Sequence, residues 1–107
     1  MTMNVLTFDS HNAIPLAQEL VDGTSHRIMI SAIDVAKTAA QIASENSLPL
    51  SSTYKKIKRL QDIGMLSVER MELDGKGKKV VYYRSRIKSM ELNLSRDQIT
   101  LQLERNA

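Results

Sequence analysis

Between Thr38 and Gly64 the chain carries the start and stop signals of two helices separated by a proline-containing turn, and no other stretch constrains its fold as much. Thr38 followed three residues later by Gln41 is a reciprocal capping pair, each side chain satisfying a backbone N–H that a helix's first turn leaves without a partner. A first helix is predicted over Thr38 to about Asn46, with Ala39, Ile42 and Ala43 on one face and small enough to let a second helix approach closely. The turn is predicted over Ser47 to Leu50, because Pro49 drives Leu48 out of the α region. Ser51 then reads as the N-cap of a second helix that begins near Ser52. That helix places Thr53 or Tyr54, Ile57, Leu60 and Ile63 on its buried side, and Gly64 stands where a left-handed C-terminal cap is wanted. Its other face presents Ser51, Ser52, Lys55, Lys56, Lys58, Arg59 and Gln61.

A lysine-rich amphipathic helix is most often a solvated surface and nothing more. Here the preceding helix, the short turn and the small polar residues at the helix start favour contact with DNA, since a recognition helix reads bases mainly with its N-terminal residues. The stretch that follows adds to this. Leu66, Val68, Met71 and Leu73 alternate with polar residues, and Lys79 to Ser85 is β-branched and aromatic, so two strands are predicted. The change of parity between Val68 and Met71 implies a bulge. Between the strands, Asp74-Gly75-Lys76-Gly77-Lys78 supplies the positive-φ positions of a hairpin tip. A helix-turn-helix followed at once by a basic hairpin has the layout of a winged helix, with Lys76, Lys78 and Lys79 placed to meet phosphate or the minor groove. Taken alone, such a tip is an ordinary soluble hairpin whose lysines guard against edge pairing.

Charge separates the chain into two parts. From Ser51 to Lys88 there are eleven cations and four anions, a net +7, whereas the rest of the chain has four cations and eight anions, a net −4. The overall +3 conceals this polarity. A concentrated positive region is what phosphate neutralisation and counterion release require. A membrane-surface helix would carry bulky aromatics on its apolar face, and this chain has three tyrosines, one phenylalanine and no tryptophan.

The stretch from about Ile14 to Arg86 resembles the ArsR-type winged-helix regulators and their archaeal relatives. The matching pieces are Leu16 to Met29, Thr38 to Ala43, Ser51 to Leu66, and Tyr82-Tyr83-Arg84. The second-helix string is specific for winged helices as a class more than for one subfamily, since MarR-like and TrmB-like regulators carry similar ones. The resemblance implies a homodimeric transcription regulator with the second helix of the motif in the major groove. The chain departs from the metal-sensing members because it has no cysteine, which rules out a thiolate site and thiol-based redox sensing. The histidines are His11 and His26. Asp9-x-His11 reads as a helix cap beside a surface histidine, and His26, after a cap at Ser25, as a solvent-edge residue. No metal or other cofactor is expected.

A chain of 107 residues has room for one small core, here of Leu, Ile, Val and Met. No stretch is long and apolar enough to span a bilayer and the N-terminus lacks signal-peptide character, so a cytoplasmic protein without membrane contact is expected. Val5 to Phe8 suits a short strand, and Asn12 to Val21 a helix with Pro15 in its first turn and Gly23 just past its end. Near the C-terminus, Met90, Leu92 and Leu94, then Ile99, Leu101 and Leu103, alternate with polar residues and predict a β-hairpin with one apolar face. It should pack on the first helix of its own chain or on a partner subunit. Family members commonly end in a helix at this point.

The expectation is therefore an α+β fold in one domain. A winged helix-turn-helix, three helices and a hairpin wing at 66–86, occupies residues 12–88, with an N-terminal helix and a C-terminal hairpin at 89–104. The residues expected to meet double-stranded DNA are Thr38, Ser51, Ser52, Thr53, Lys55, Lys56, Lys58, Arg59, Lys76, Lys78 and Lys79. The expected function is a dimeric, sequence-specific transcription regulator acting as a repressor, with no effector assigned. The alternatives are a winged helix used as a protein-interaction module, and a sequence-indifferent architectural DNA-binding protein. Catalysis is not expected. No nucleophile is paired with a histidine, and Gly75-x-Gly77 is a turn with no helix after it to bind phosphate.

Overall fold

The computed structural model describes residues 5–8 and 10–106, with side chains from 13 to 106. Along the chain run β1 (Val5–Phe8), α1 (Ser10–Leu20), α2 (Gly23–Ser31), α3 (Ala39–Glu45), α4 (Leu50–Asp62), β2 (Leu66–Leu73), β3 (Lys79–Ser85), β4 (Ile87–Leu94) and β5 (Ile99–Arg105). The fold is α+β, four helices with two antiparallel hairpins.

The capping pair forms as its spacing requires. Thr38 Oγ1 accepts from the Gln41 N–H at 3.0 Å, and Gln41 Oε1 accepts from the Thr38 N–H at 2.9 Å. Ala39, Ile42 and Ala43 are buried. Helix α3 then ends in a tight left-handed turn at Ser47, φ +54, where the Leu48 N–H reaches back to the Ala43 carbonyl at 2.9 Å. Helix α4 closes in the same way. Gly64 takes φ +80, its N–H donates to the Gln61 carbonyl at 2.9 Å, and the Met65 N–H donates to that of Leu60 at 2.8 Å. Of these two helix ends, only that of α4 has the glycine that a positive φ favours.

The start of α4 differs from the sequence expectation. Its N-cap is Pro49, and Ser51 lies in the first turn without capping it. Proline already holds the extended-to-helical φ needed at the boundary. The Pro49 carbonyl gathers the donors, accepting from the Thr53 N–H at 3.0 Å, Thr53 Oγ1 at 2.8 Å and Ser52 Oγ at 3.1 Å. Ile57 and Leu60 are buried as predicted, each contributing about 1.5–3 kcal/mol of transfer free energy. Ile63 and Tyr54 are instead exposed.

Three boundaries near the N-terminus also shift. Helix α1 starts at Ser10, so Pro15 falls inside the helix rather than in its first turn and removes one ladder hydrogen bond. Gly23 opens α2 instead of trailing α1, and the cap is Asp22, whose Oδ2 accepts from the Ser25 N–H at 3.1 Å. Ser25 itself is fully buried. That bond holds the Asp22 carboxyl below its ordinary pKa, with Lys56 adding to the effect. His26 is exposed, as expected. Asp9 and the His11 side chain lie outside the described residues.

Strands β2 and β3 pair antiparallel from Leu66 opposite Ser85 to Leu73 opposite Lys79, with the register shift between Val68 and Arg70 that the parity change implied. Lys37 joins this ladder by a single bridge to Tyr83, with N–H to carbonyl distances of 2.9 and 2.8 Å. The second sheet runs β1-β5-β4. Its central strand buries Leu101 and Leu103 completely, in the same core cluster as Ala13, Leu20, Ile28, Ile42, Ile57, Leu60 and Leu66. The C-terminal hairpin thus packs within its own chain. Asn106 latches its end, donating through Nδ2 to the carbonyls of Ile33 at 2.7 Å and Ser85 at 2.9 Å. Among the described residues no helix is long and apolar enough to cross a membrane.

Candidate nucleic-acid interface

Helix geometry sorts the α4 side chains by direction. Thr53, Ile57 and Leu60 point into the core. At 100° per residue, Ser51, Lys55 and Lys58 lie on the opposite side, Ser52 and Arg59 beside them, and Lys56 on the flank toward the core. Ser51, Ser52, Lys55 and Lys58 are all exposed. Thr53 is not: it is fully buried with its hydroxyl on the Pro49 carbonyl, which removes it from the expected set of contacting residues.

Acidic residues from the N-terminal helices engage two of the expected cations. Glu19 accepts from Lys56 Nζ at 3.3 Å and from Arg59 Nε and Nη2 at 3.2 Å, and Asp22 Oδ2 lies 3.4 Å from Lys56 Nζ. The Glu19 side chain is only 14% exposed and that of Lys56 26%, so this cluster is sheltered, whereas the Arg59 side chain, at 70%, keeps most of its surface in water. Lys56 therefore ties α4 to α1 rather than facing outward. Arg59 is tethered but still reachable. Neither acid was legible as a partner, because 34 to 40 residues separate them from the cations they meet.

The β2–β3 hairpin shows the same division. Arg70 is bound by Glu72 at 2.8 Å and Glu69 at 3.1 Å and lies over the Tyr82 ring, 4.0 Å from its centre. Arg84 pairs with Glu69 at 3.0 Å and donates to the Ile33 carbonyl at 2.7 Å. At the tip the carboxylate of Asp74 organises the turn, its Oδ1 accepting from the N–H groups of Lys76 and Lys78 at 2.8 Å each. Those two bonds, that of Lys78 first, hold its pKa below the ordinary 3.8. Gly77 supplies φ +78. Lys76, Lys78 and Lys79 are exposed and, like Lys55 and Lys58, form no ion pair among the described residues.

These elements meet at a shallow groove of about 250 Å³. The ends of α3 and α4 supply Thr38, Ala39, Ala40 and Tyr54, and the hairpin supplies Asp74, Lys78, Lys79 and Val81. Thr38 is half-buried there with its hydroxyl in the capping pair, so its reach outward is short. Tyr54, half-exposed beside Lys55, was missed as a site residue because helical spacing set it at the edge of the buried stripe. The arrangement offers an exposed hydroxyl pair at the start of α4, one cation a turn further along and another two turns along, two cations on the hairpin side of the groove, and Lys76 at the hairpin tip. Chemically it suits a polyanion longer than one phosphate. Among the described residues, no group of three or more His, Asp or Glu is placed to hold a metal ion. Comparison with protein-family models gives no match, and comparison with curated proteins finds none similar to this chain.

Proposed function

We propose that the chain is a winged helix-turn-helix protein that binds double-stranded DNA as a homodimer and regulates transcription. In this reading α4 enters the major groove and the β2–β3 hairpin is the wing. The observation that carries it is the division of the cations: Lys55, Lys58, Lys76, Lys78 and Lys79 are exposed without ion pairs among the described residues, on the two elements flanking one groove. The other cations of the same elements, Lys56, Arg59, Arg70 and Arg84, are already paired with Glu19, Asp22, Glu69 or Glu72. Ser51 and Ser52 stand at the N-terminal end of α4, where a recognition helix makes its base contacts. The resemblance to ArsR-type regulators agrees with this, and repression is the simplest mode because it needs only promoter occupancy.

A second reading, the hairpin as a docking surface for another protein, is favoured by Met71 and Leu73, which remain largely exposed on β2. Selection of bound duplexes from a random-sequence pool separates the two. Enrichment of a pseudo-palindrome with half-site centres about one helical turn apart is expected. Binding without enrichment would indicate an architectural protein, and no duplex retained at low salt would favour protein docking.

A further inference from the structure

Alternation along β3 sets Arg84 and Arg86 on one face, with Ser85 between them turned into the core, its hydroxyl on the Met29 carbonyl. On the paired strand Ser67 lies opposite Arg84, and Glu69 is the extra residue of the bulge. Arg86 is where the chain leaves one sheet for the other, and both of its backbone groups are taken. Its N–H donates to the Met65 carbonyl at 2.9 Å and its carbonyl accepts from the Asn106 N–H at 2.8 Å. That second bond brings the end of β5, with Arg105, alongside. The result is a polar hollow of about 360 Å³ whose lining includes Ser67, Glu69, Arg84, Arg86, Arg105 and Asn106. Three guanidinium groups meet there with one carboxylate, and that carboxylate is already committed, to Arg70 at 3.1 Å and Arg84 at 3.0 Å. Arg86 and Arg105 are exposed and form no ion pair among the described residues. Glu104, adjacent to Arg105 in sequence, faces the other side of β5 and pairs with Lys88 at 3.7 Å. Elsewhere on this chain, cations that crowd together share an acid, Glu19 between Lys56 and Arg59, and Glu69 between Arg70 and Arg84. Arg86 and Arg105 share none, and like charges held together on fixed backbone repel.

We propose that this hollow binds the dianionic phosphate of a small phosphate monoester. The two uncompensated guanidiniums match a group that carries a charge of about −1.5 to −2 and three strong acceptor oxygens. Forks arriving from different strands suit a tetrahedral ligand, whereas a carboxylate brings one charge and two oxygens in a plane. Arg84 is held in place beforehand, with Nε on the Ile33 carbonyl at 2.7 Å, so little order is lost when an anion meets it. The volume lies within the range of small-molecule sites, about 300–1,000 Å³, which leaves room for the group esterified to the phosphate. A free ester fits better than the backbone of a duplex. The hollow sits at the base of the β2–β3 hairpin, beside the end of α4, whereas the start of α4 and the hairpin tip border the other groove. The strand from Ser67 to Leu73 sets the two roughly 20 Å apart. The site is thus separate from the duplex reading above and does not rest on it.

Amide NMR of the full chain tests it, with inorganic phosphate and then phenyl phosphate added at about pH 8, where both are dianions, and with ionic strength held constant by chloride. Saturable shifts are expected at Ser67, Arg84, Arg86, Arg105 and Asn106 with both probes. The double variant Arg86→Gln, Arg105→Gln changes only exposed side chains, so its circular dichroism should be unchanged, and it should bind either probe at least about tenfold more weakly for want of two charged donors. Glu69→Gln removes the carboxylate that competes for Arg84 and should bind more tightly, a gain that a purely structural role for the arginines would not produce. Shifts that do not saturate, or that are as large at Lys55, Lys58 and Lys76 to Lys79, would mean general attraction of anions to cations and would overturn the site. Binding of inorganic phosphate with exclusion of phenyl phosphate would overturn the ester. No response to either probe, together with a shallower salt dependence of duplex binding in the double variant, would make the hollow part of the duplex interface instead. Saturable phosphate binding in a chain that binds no duplex would support the site and count against the DNA reading alone.

Discussion

Replacing Lys55 and Lys58 together by alanine is expected to weaken duplex binding by between about a hundredfold and a few thousandfold near 0.1 M salt, and to reduce the slope of log K against log salt by roughly 3.5, the change for four lost phosphate contacts, two in each copy of the homodimer. Both side chains are exposed and make no ion pair among the described residues, so the melting temperature should hardly move. Lys56→Ala is expected to behave in the opposite way. Its ammonium sits between Glu19 and Asp22, and removing it leaves a sheltered carboxylate with Arg59 as its remaining partner among the described residues. Stability should fall while the salt slope changes less than in the double variant. Fluorescence anisotropy over a salt series, with a thermal melt of each variant, separates the two effects. Equal slope changes in both would mean that the acidic cluster opens to release Lys56 when DNA binds.

Leu101→Ala is expected to cost about 2–5 kcal/mol, a large fraction of what a domain of this size possesses. Leu101 is completely buried on the central strand of the β1-β5-β4 sheet, in contact with the same core that holds Ile57 and Leu60 of α4. Leu73→Ala, on the exposed stretch of β2, should stay within about 0.5 kcal/mol. Denaturant unfolding followed by circular dichroism and by a fluorophore on the β2–β3 hairpin checks this. Coincident transitions shifted together are expected if the C-terminal hairpin belongs to the common core. A loss confined to one of two transitions would make it a satellite.

The parts of this fold that local chemistry decides were legible in the chain. The Thr38 and Gln41 pair, the buried stripe Ala39, Ile42 and Ala43, the glycine at 64 and the bulge before Arg70 each depend on residues within a few positions of one another. The helix starts were less so, since several residues in a row can cap. Pro49 rather than Ser51 begins α4, and Asp22 rather than Ser25 begins α2, because dihedral restriction and side-chain reach decided between neighbours. The ion pairs were not legible at all. Which lysines of α4 stay free depends on Glu19 and Asp22 arriving from another helix, and net charge alone assigned Lys55 and Lys56 the same role. The alternation in β4 and β5 was plain, but which of its leucines the core would take depended on β5 becoming the central strand.

The central claim is that one face, formed by the exposed side of α4 from Ser51 to Lys58 and by the β2–β3 tip, meets duplex DNA. Amide NMR of the full chain titrated with a duplex tests it most directly. Shift changes are expected to concentrate at Thr38, Ser51, Ser52, Lys55, Lys58 and Lys76 to Lys79, and to leave the amides of β5 unmoved. Spectra unchanged at low salt, or changes confined to residues 90 to 104, would contradict it.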